Sequence, residues 1–182
     1  MHRDAGQITD EWLVLRCQAG ERAAMDLLVR RWHWRLYRHA CLLTAEPEAA
    51  NDAVQDAWLV IVRTLNRLRD PALFRSWAYR IVTNKCADWV RRTRRGRQAM
   101  RQAAAEMSAT AARRSDDDEP ESLRSALRQM PAQRRAMLTM LYLEDMSVRE
   151  IAGALGVPAG TVKSRLYHAR QELRAILERS QP

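Results

Sequence analysis

Large apolar residues recur along most of this chain at steps of three and four, the spacing that puts side chains on one face of an α-helix. Leu27, Leu28, Trp32, Leu36 and Leu43 form such a stripe and predict a helix from Glu21 to about Leu43. A shorter helix is predicted before it, over about Asp10 to Gln18, stopped by Gly20. Pro47 suits a first helical position, where an N–H has no partner in any case. Behind it Val54, Trp58, Ile61 and Leu65 define a third helix to about Leu65. Asp70-Pro71 repeats the start signal, a capping acid followed by proline. The fourth helix then runs to about Thr93, with Phe74, Ala78, Ile81, Val82, Cys86 and Trp89 inward.

Arg97 to Pro120 breaks the pattern. It is rich in Ala, Arg, Gln and Ser, ends in "SDDDEPE", and holds few large apolar residues to offset the entropy of ordering. It reads as a flexible linker with transient helix in its Ala-rich first half. Helical periodicity returns at Glu121. Leu123, Ala126, Leu127 and Met130 mark one helix, and Pro131 starts another that contains Met137, Met140 and Leu141. "SVRE", Ser147 to Glu150, is a capping box in which serine and glutamate satisfy each other's end of the first turn. That helix carries Ile151 and Leu155 and stops at Gly156. Thr161 is the expected cap of the last helix, whose inner stripe is Val162, Leu166, Ala169, Leu173 and Ile176. No stretch alternates in the manner of a strand. The expected fold is therefore all-α, with two small helical domains at residues 1–96 and 121–182 joined by a flexible linker at 97–120.

Composition narrows the function. A net charge of +9 and a pI near 10.4 favour polyanionic partners, nucleic acid before acidic membrane. No apolar run approaches the roughly 20 residues of a membrane span, and the N-terminus "MHRDAGQITDEW" lacks a signal-peptide core. A cytoplasmic protein without membrane insertion is expected. Cys17, Cys41 and Cys86 are far apart and fit no zinc spacing, and His33 and His39 sit among apolar residues as packing or surface groups. There is no glycine-rich phosphate loop, HExxH, acidic metal cluster or nucleophile elbow. The acidic run Asp116 to Glu119 lies in the linker and reads as an anionic tether. Catalytic residues, metals and cofactors are thus not expected, and an enzyme is the class with least support.

Two constellations point to DNA. The stretch "SVREIAGALGVPAGTVKSRLYHARQEL" has the form of a helix-turn-helix, whose second helix lies in the major groove with N-terminal residues at base edges. Lys163, Ser164, Tyr167 and His168 stand off the apolar stripe, and the helix N-terminus adds unpaired amides for a phosphate. In the fourth helix, Arg80, Asn84, Arg91 and Arg95 share one stripe opposite Phe74, Val82 and Trp89, a footprint suited to a phosphate backbone. Trp58 and Trp89 are expected in the core, whereas Trp77 lies nearer the basic stripe and could stack on an unpaired base.

"LRQMPAQRRAMLTMLYLEDMSVREIAGALGVPAGTVKSRLYHARQELRAIL" resembles the fourth region of bacterial RNA polymerase sigma factors of the extracytoplasmic-function group. "LLVRRWHWRLYRHACLLTAEPEAANDAVQDAWLVIVRTL" and "FRSWAYRIVTNKCADWVRRTRR" resemble that group's second region. The resemblance implies that Asp52, Gln55 and Asp56 meet the β′ clamp helices of core RNA polymerase. It implies that Asn66, in the loop to Asp70, together with Trp77, Arg80, Asn84, Arg91 and Arg92, binds and opens the −10 element. Family members often carry glutamate where Asp56 stands. It places Arg149, Thr161, Lys163, Ser164, Tyr167 and His168 on the −35 element, although an acid is frequent at the position of Arg149. The further partners it implies are the β flap, promoter DNA and an anti-sigma factor. A stand-alone helix-turn-helix regulator is the alternative, but it leaves "DAVQDAW" and the second basic stripe without a use. A helical adaptor that reads no DNA leaves the basic last helix without one.

Overall fold

Residues 5–103, 126, 127 and 129–179 are described by a computed structural model, residues 94–103 through their backbone alone. Most of the predicted linker, its acidic run Asp116 to Glu119, Leu123 and the Arg95 side chain lie outside that description.

Asp10 explains why the first helix starts earlier than its apolar residues suggest. The helix α1 spans Ala5–Gln18, not Asp10 to Gln18. Asp10 itself points inward, where its carboxylate accepts from Arg31 Nε at 2.6 Å and from Trp32 Nε1 at 3.0 Å. Arg31 also donates to the Gly6 carbonyl, so the added turn is held by the charge pair rather than by apolar burial. Gly20, at φ +88°, then reverses the chain into α2, Arg22–Thr44. In α2 the buried line is Ala24, Leu28, Trp32, Leu36 and Ala40, a strict step of four. Leu27, expected inward, is 51% exposed because it lies one residue, about 100° of helix, off that line.

The third helix, α3, spans Pro47–Thr64 and gives way to a short 3₁₀ turn at Leu65–Arg67. The Gln18 side-chain amide donates to the carbonyls of both Leu65 and Leu68 at 2.9 Å, pinning this loop to the end of α1. Asp70 caps a second 3₁₀ turn, Pro71–Leu73, by accepting from the Ala72 N–H at 3.0 Å. From there α4, Phe74–Ala103, runs ten residues past the predicted stop at Thr93 and across the expected boundary at residue 97. In the sequence after Thr93, "RRGRQAMRQA", the Arg, Gln, Ala and Met residues favour helix once a preceding helix has provided the nucleus, against the single Gly96.

Helices α2, α3 and α4 pack against one another, with α1 along α2. At their centre Trp32 is fully buried, edge-on to Phe74 at 5.6 Å and to Tyr79 at 6.2 Å. Three helices follow: α5, Ala132–Tyr142; α6, Val148–Leu155; and α7, Ala159–Arg179. They pack on one another, and α5 also packs on α2 while α6 packs on α4, so the two halves share a continuous apolar core. Met137, Met140 and Met146 fill the second half's interior, where an unbranched thioether adapts to gaps between short helices.

His39, expected as a packing or surface group, is 2% exposed, bonded through Nε2 to Thr83 Oγ1 at 2.9 Å and edge-on to Tyr79 at 5.0 Å. Burial lowers its pKa to about 3. The folded protein therefore holds His39 neutral, while the unfolded chain takes up a proton below about 6.5. Stability is full above that value and falls as pH drops from about 6.5 toward 3. Between pH 7.5 and pH 5.5 this residue should account for about 1.4 kcal/mol. Urea titrations at the two pH values check it, with His39→Gln expected to reduce the difference.

Candidate nucleic-acid interface

The C-terminal helical pair is set by its caps. Ser147 Oγ accepts from the Glu150 N–H at 3.2 Å and Glu150 Oε2 accepts from the Ser147 N–H at 2.8 Å, so the predicted capping box is present. At the other end Gly156, at φ +66°, takes the left-handed conformation, and Val157 N–H reaches back to the Ala152 carbonyl at 3.1 Å. That bond spans the helix end in the Schellman manner and turns the chain sharply into α7. Because α7 begins at Ala159 and Val162 N–H bonds the Pro158 carbonyl at 3.2 Å, Thr161 sits inside the first turn rather than capping it. Proline at 158 supplies a preset φ in its place.

Val162, Leu166, Ala169 and Ile176 are buried, so α7 is fixed in rotation. Lys163, Ser164, Tyr167 and His168 all face outward, at steps of one, three and one, forming a ridge along the first half of the helix. Tyr167 is 60% exposed and stands edge-on to His168 at 5.5 Å. Arg165 is exposed beside this ridge, and Arg149 is exposed on α6. A major groove about 12 Å wide admits a helix, and the free amides at its N-terminus suit an adjoining phosphate.

On α4 the exposed residues Arg80, Asn84 and Arg91 follow a common stripe about 16 Å long at 1.5 Å per residue. Arg91 is also paired with Asp88 on its own helix. Trp77 is half-buried, its ring tilted on Phe74 at 6.2 Å. Asn66 is exposed on the 3₁₀ turn pinned by Gln18. Arg92 does not join this stripe: it turns toward α3.

There it helps line a groove of about 590 Å³ with Asp52, Gln55 and Asp56 on one wall and Lys85, Trp89 and Thr93 on the other. Lys85 Nζ is paired with Asp56 Oδ2 at 3.4 Å across the groove. Sequence reading placed Trp89 in the core and gave Lys85 no role. The steps of four and three from Lys85 to Trp89 and Arg92 form a helical stripe of their own, on a different face of α4 from Arg80, Asn84 and Arg91.

Cys17 and Cys86 are buried, Cys41 half-buried, and all three are free. Burial raises the Cys86 thiol to about 12, so it stays protonated at neutral pH. Among the described residues no three His, Cys, Asp or Glu side chains come together in a way that could hold a metal ion.

Residues 28–96 match the family model "Sigma-70 region 2", and residues 121–173 match "Sigma-70, region 4". The chain is 35% identical over 169 residues to the ECF RNA polymerase sigma factor SigM of Mycobacterium tuberculosis, covering 93% of this chain and 85% of that one. To the ECF RNA polymerase sigma-E factor of Escherichia coli K12 it is 30% identical over 186 residues, covering 92% and 93%. Its fold is similar to that of CnrH, solved in complex with the cytosolic domain of CnrY, with a TM-score of 0.67 at 26% identity over 93% of this chain and 97% of that one. The sigma factor RpoE of Bartonella quintana gives a TM-score of 0.68 at 20% identity over 85% of this chain and 96% of that one, and shares the fold.

Proposed function

We propose a division of labour within a chain that belongs to the extracytoplasmic-function group of RNA polymerase sigma factors: α7 reads the −35 element, α4 the −10 element, and the α3 wall of the groove binds the polymerase clamp. A sigma factor is a non-catalytic initiation factor. The chain binds core RNA polymerase and promoter DNA and directs initiation to particular promoters.

The observation that carries the −35 assignment is the outward ridge of Lys163, Ser164, Tyr167 and His168, directly behind the Gly156 turn and over a buried stripe. Hydrogen-bonding and aromatic side chains on one helical ridge suit base edges, with Arg149 and the first amides of α7 on the flanking phosphates. For −10 DNA, Arg80, Asn84 and Arg91 give backbone contact, while Trp77 and Asn66 meet a base drawn out of the stack. Asp52, Gln55 and Asp56 give the clamp an acidic, hydrogen-bonding wall. Arg92 faces this groove rather than the DNA stripe, which favours a role for it on the polymerase side. A stand-alone regulator has no use for that groove.

RpoE of Bartonella quintana was solved in complex with the anti-sigma factor NepR, and CnrH with the cytosolic domain of CnrY; capture by an anti-sigma factor is proposed here on that ground. A cytoplasmic location fits a polymerase subunit, and no helix among the described residues is long and apolar enough to cross a membrane.

Core binding tests the groove assignment. Asp56→Arg places a cation beside Lys85 and should weaken binding to core polymerase about three- to tenfold in a fluorescence titration, about 1 kcal/mol. Unchanged affinity in this variant and in Asp52→Arg would remove α3 from the interface.

A further inference from the structure

The groove between α3 and α4 is bridged by an ion pair. Lys85 Nζ lies 3.4 Å from Asp56 Oδ2, with the two side chains 31% and 54% exposed. A tight charge-assisted bond is about 2.7–2.9 Å long, so this contact is loose. Only one oxygen of the carboxylate is engaged. Asp52, one turn earlier on the same wall, and Arg92, two turns beyond Lys85 on the other, enter no ion pair among the described residues.

The type of cation matters. The chain has 31 lysine and arginine residues, and only Lys85 and Lys163 are lysines. An arginine at 85 would close a planar fork on both oxygens of Asp56, whereas lysine offers one point charge on a flexible, strongly hydrated stem. Exposed pairs of this kind are weak, because water takes back both charges with little loss. A further cation arriving at Asp56 meets Lys85 a few ångströms away, and must push it aside or bear its repulsion.

We propose that Lys85 is a displaceable stand-in for a cation of the polymerase clamp. It holds Asp56 while the factor is free, releases the carboxylate on docking, and thereby sets how tightly the factor binds core polymerase. This rests on the clamp assignment above. Lys85 is a positioning residue, acting through Asp56 and not by touching the polymerase. A lysine that reached an acid on the polymerase would strengthen binding, so the two roles differ in sign. The displaced ammonium needs no new partner, because it is already partly exposed and returns to water.

Fluorescence titration of the full chain against core polymerase reads that sign. Lys85→Met keeps the bulk of the stem without the charge, and should tighten binding about three- to tenfold. Lys85→Glu should tighten it at least as much. Lys85→Arg, with a firmer hold on Asp56, should weaken binding about threefold. In an Asp56→Asn chain, Lys85→Met should change affinity by less than about twofold, since the carboxylate competed for is gone. The gain in Lys85→Met should shrink as salt rises, because exposed charges are screened. Circular dichroism checks that each variant keeps its helices, and a loss of packing would weaken binding, the opposite of the expected change. Weaker or unchanged binding in Lys85→Met, while Asp56→Arg still weakens it, overturns the stand-in and leaves the clamp assignment in place. A gain that persists in full in the Asp56→Asn chain overturns the action through Asp56. Affinity indifferent to Asp56→Arg, Asp52→Arg and Lys85→Met alike overturns the clamp assignment, and the stand-in with it.

Discussion

Truncating Trp32 to alanine is expected to lower unfolding stability by about 3–5 kcal/mol, the range for removing a large aromatic from a core. Three losses combine at this residue. Its ring is wholly buried and edge-on to both Phe74 and Tyr79, so two aromatic contacts from α4 lose their partner. Its Nε1 donates to Asp10, so a buried carboxylate loses a donor and keeps only Arg31. That bond also holds the N-terminal turns of α1, which Gln18 connects to the loop carrying Asn66. A domain of ordinary stability has about 5–15 kcal/mol in all, so the variant should be near its limit. Urea titration followed by circular dichroism should show a midpoint lower by at least 1 M, using about 1–3 kcal/mol per molar for the slope. A loss under about 1 kcal/mol would mean that the centre of the bundle lies elsewhere.

Lys163→Glu is expected to reduce affinity for promoter duplex about 10- to 100-fold in the holoenzyme, or about 1.4–2.7 kcal/mol. The residue is exposed on the first turns of α7, beside the positive end of the helix, where reversal replaces attraction with repulsion against the phosphates. Lys163→Ala separates two kinds of contact. A phosphate contact would lower the slope of log affinity against log salt by about one and act alike on all sequences. A base-edge contact would instead relax preference at one −35 position. Tyr167→Ala and His168→Ala should alter sequence preference with little change in salt slope. Equal promoter affinity in Lys163→Glu would move the reading face off this ridge.

Much of this was legible because amphipathic helices announce themselves. The buried line of α7 and the capping box of α6 depend on residues close in sequence, and both were read correctly in position. What escaped involved neighbours far apart in the chain. The helix α1 starts five residues before the expected Asp10 because Arg31 and Trp32, more than twenty residues on, make Asp10 a buried anchor. Leu27 and Leu28 are equal in hydropathy, and only the packing of α1, α3 and α4 decides which faces inward. Thr161 has the chemistry of a cap, but Pro158 had already started the helix. Arg92 is one residue from Arg91, and that single step carries it to the opposite groove. Glu144, buried at the turn between α5 and α6, gave no local signal: its environment is built by Arg35 and Arg38 from the other half of the molecule.

Run-off transcription from a library of genomic promoter fragments, with purified core polymerase alone and with this chain added, tests the central claim most directly. Transcripts beginning at defined sites only when the chain is present, weakened by Lys163→Glu and by Asp56→Arg, are the predicted result. Core polymerase that stays silent with the chain added, while the chain alone shifts particular duplexes, would contradict it.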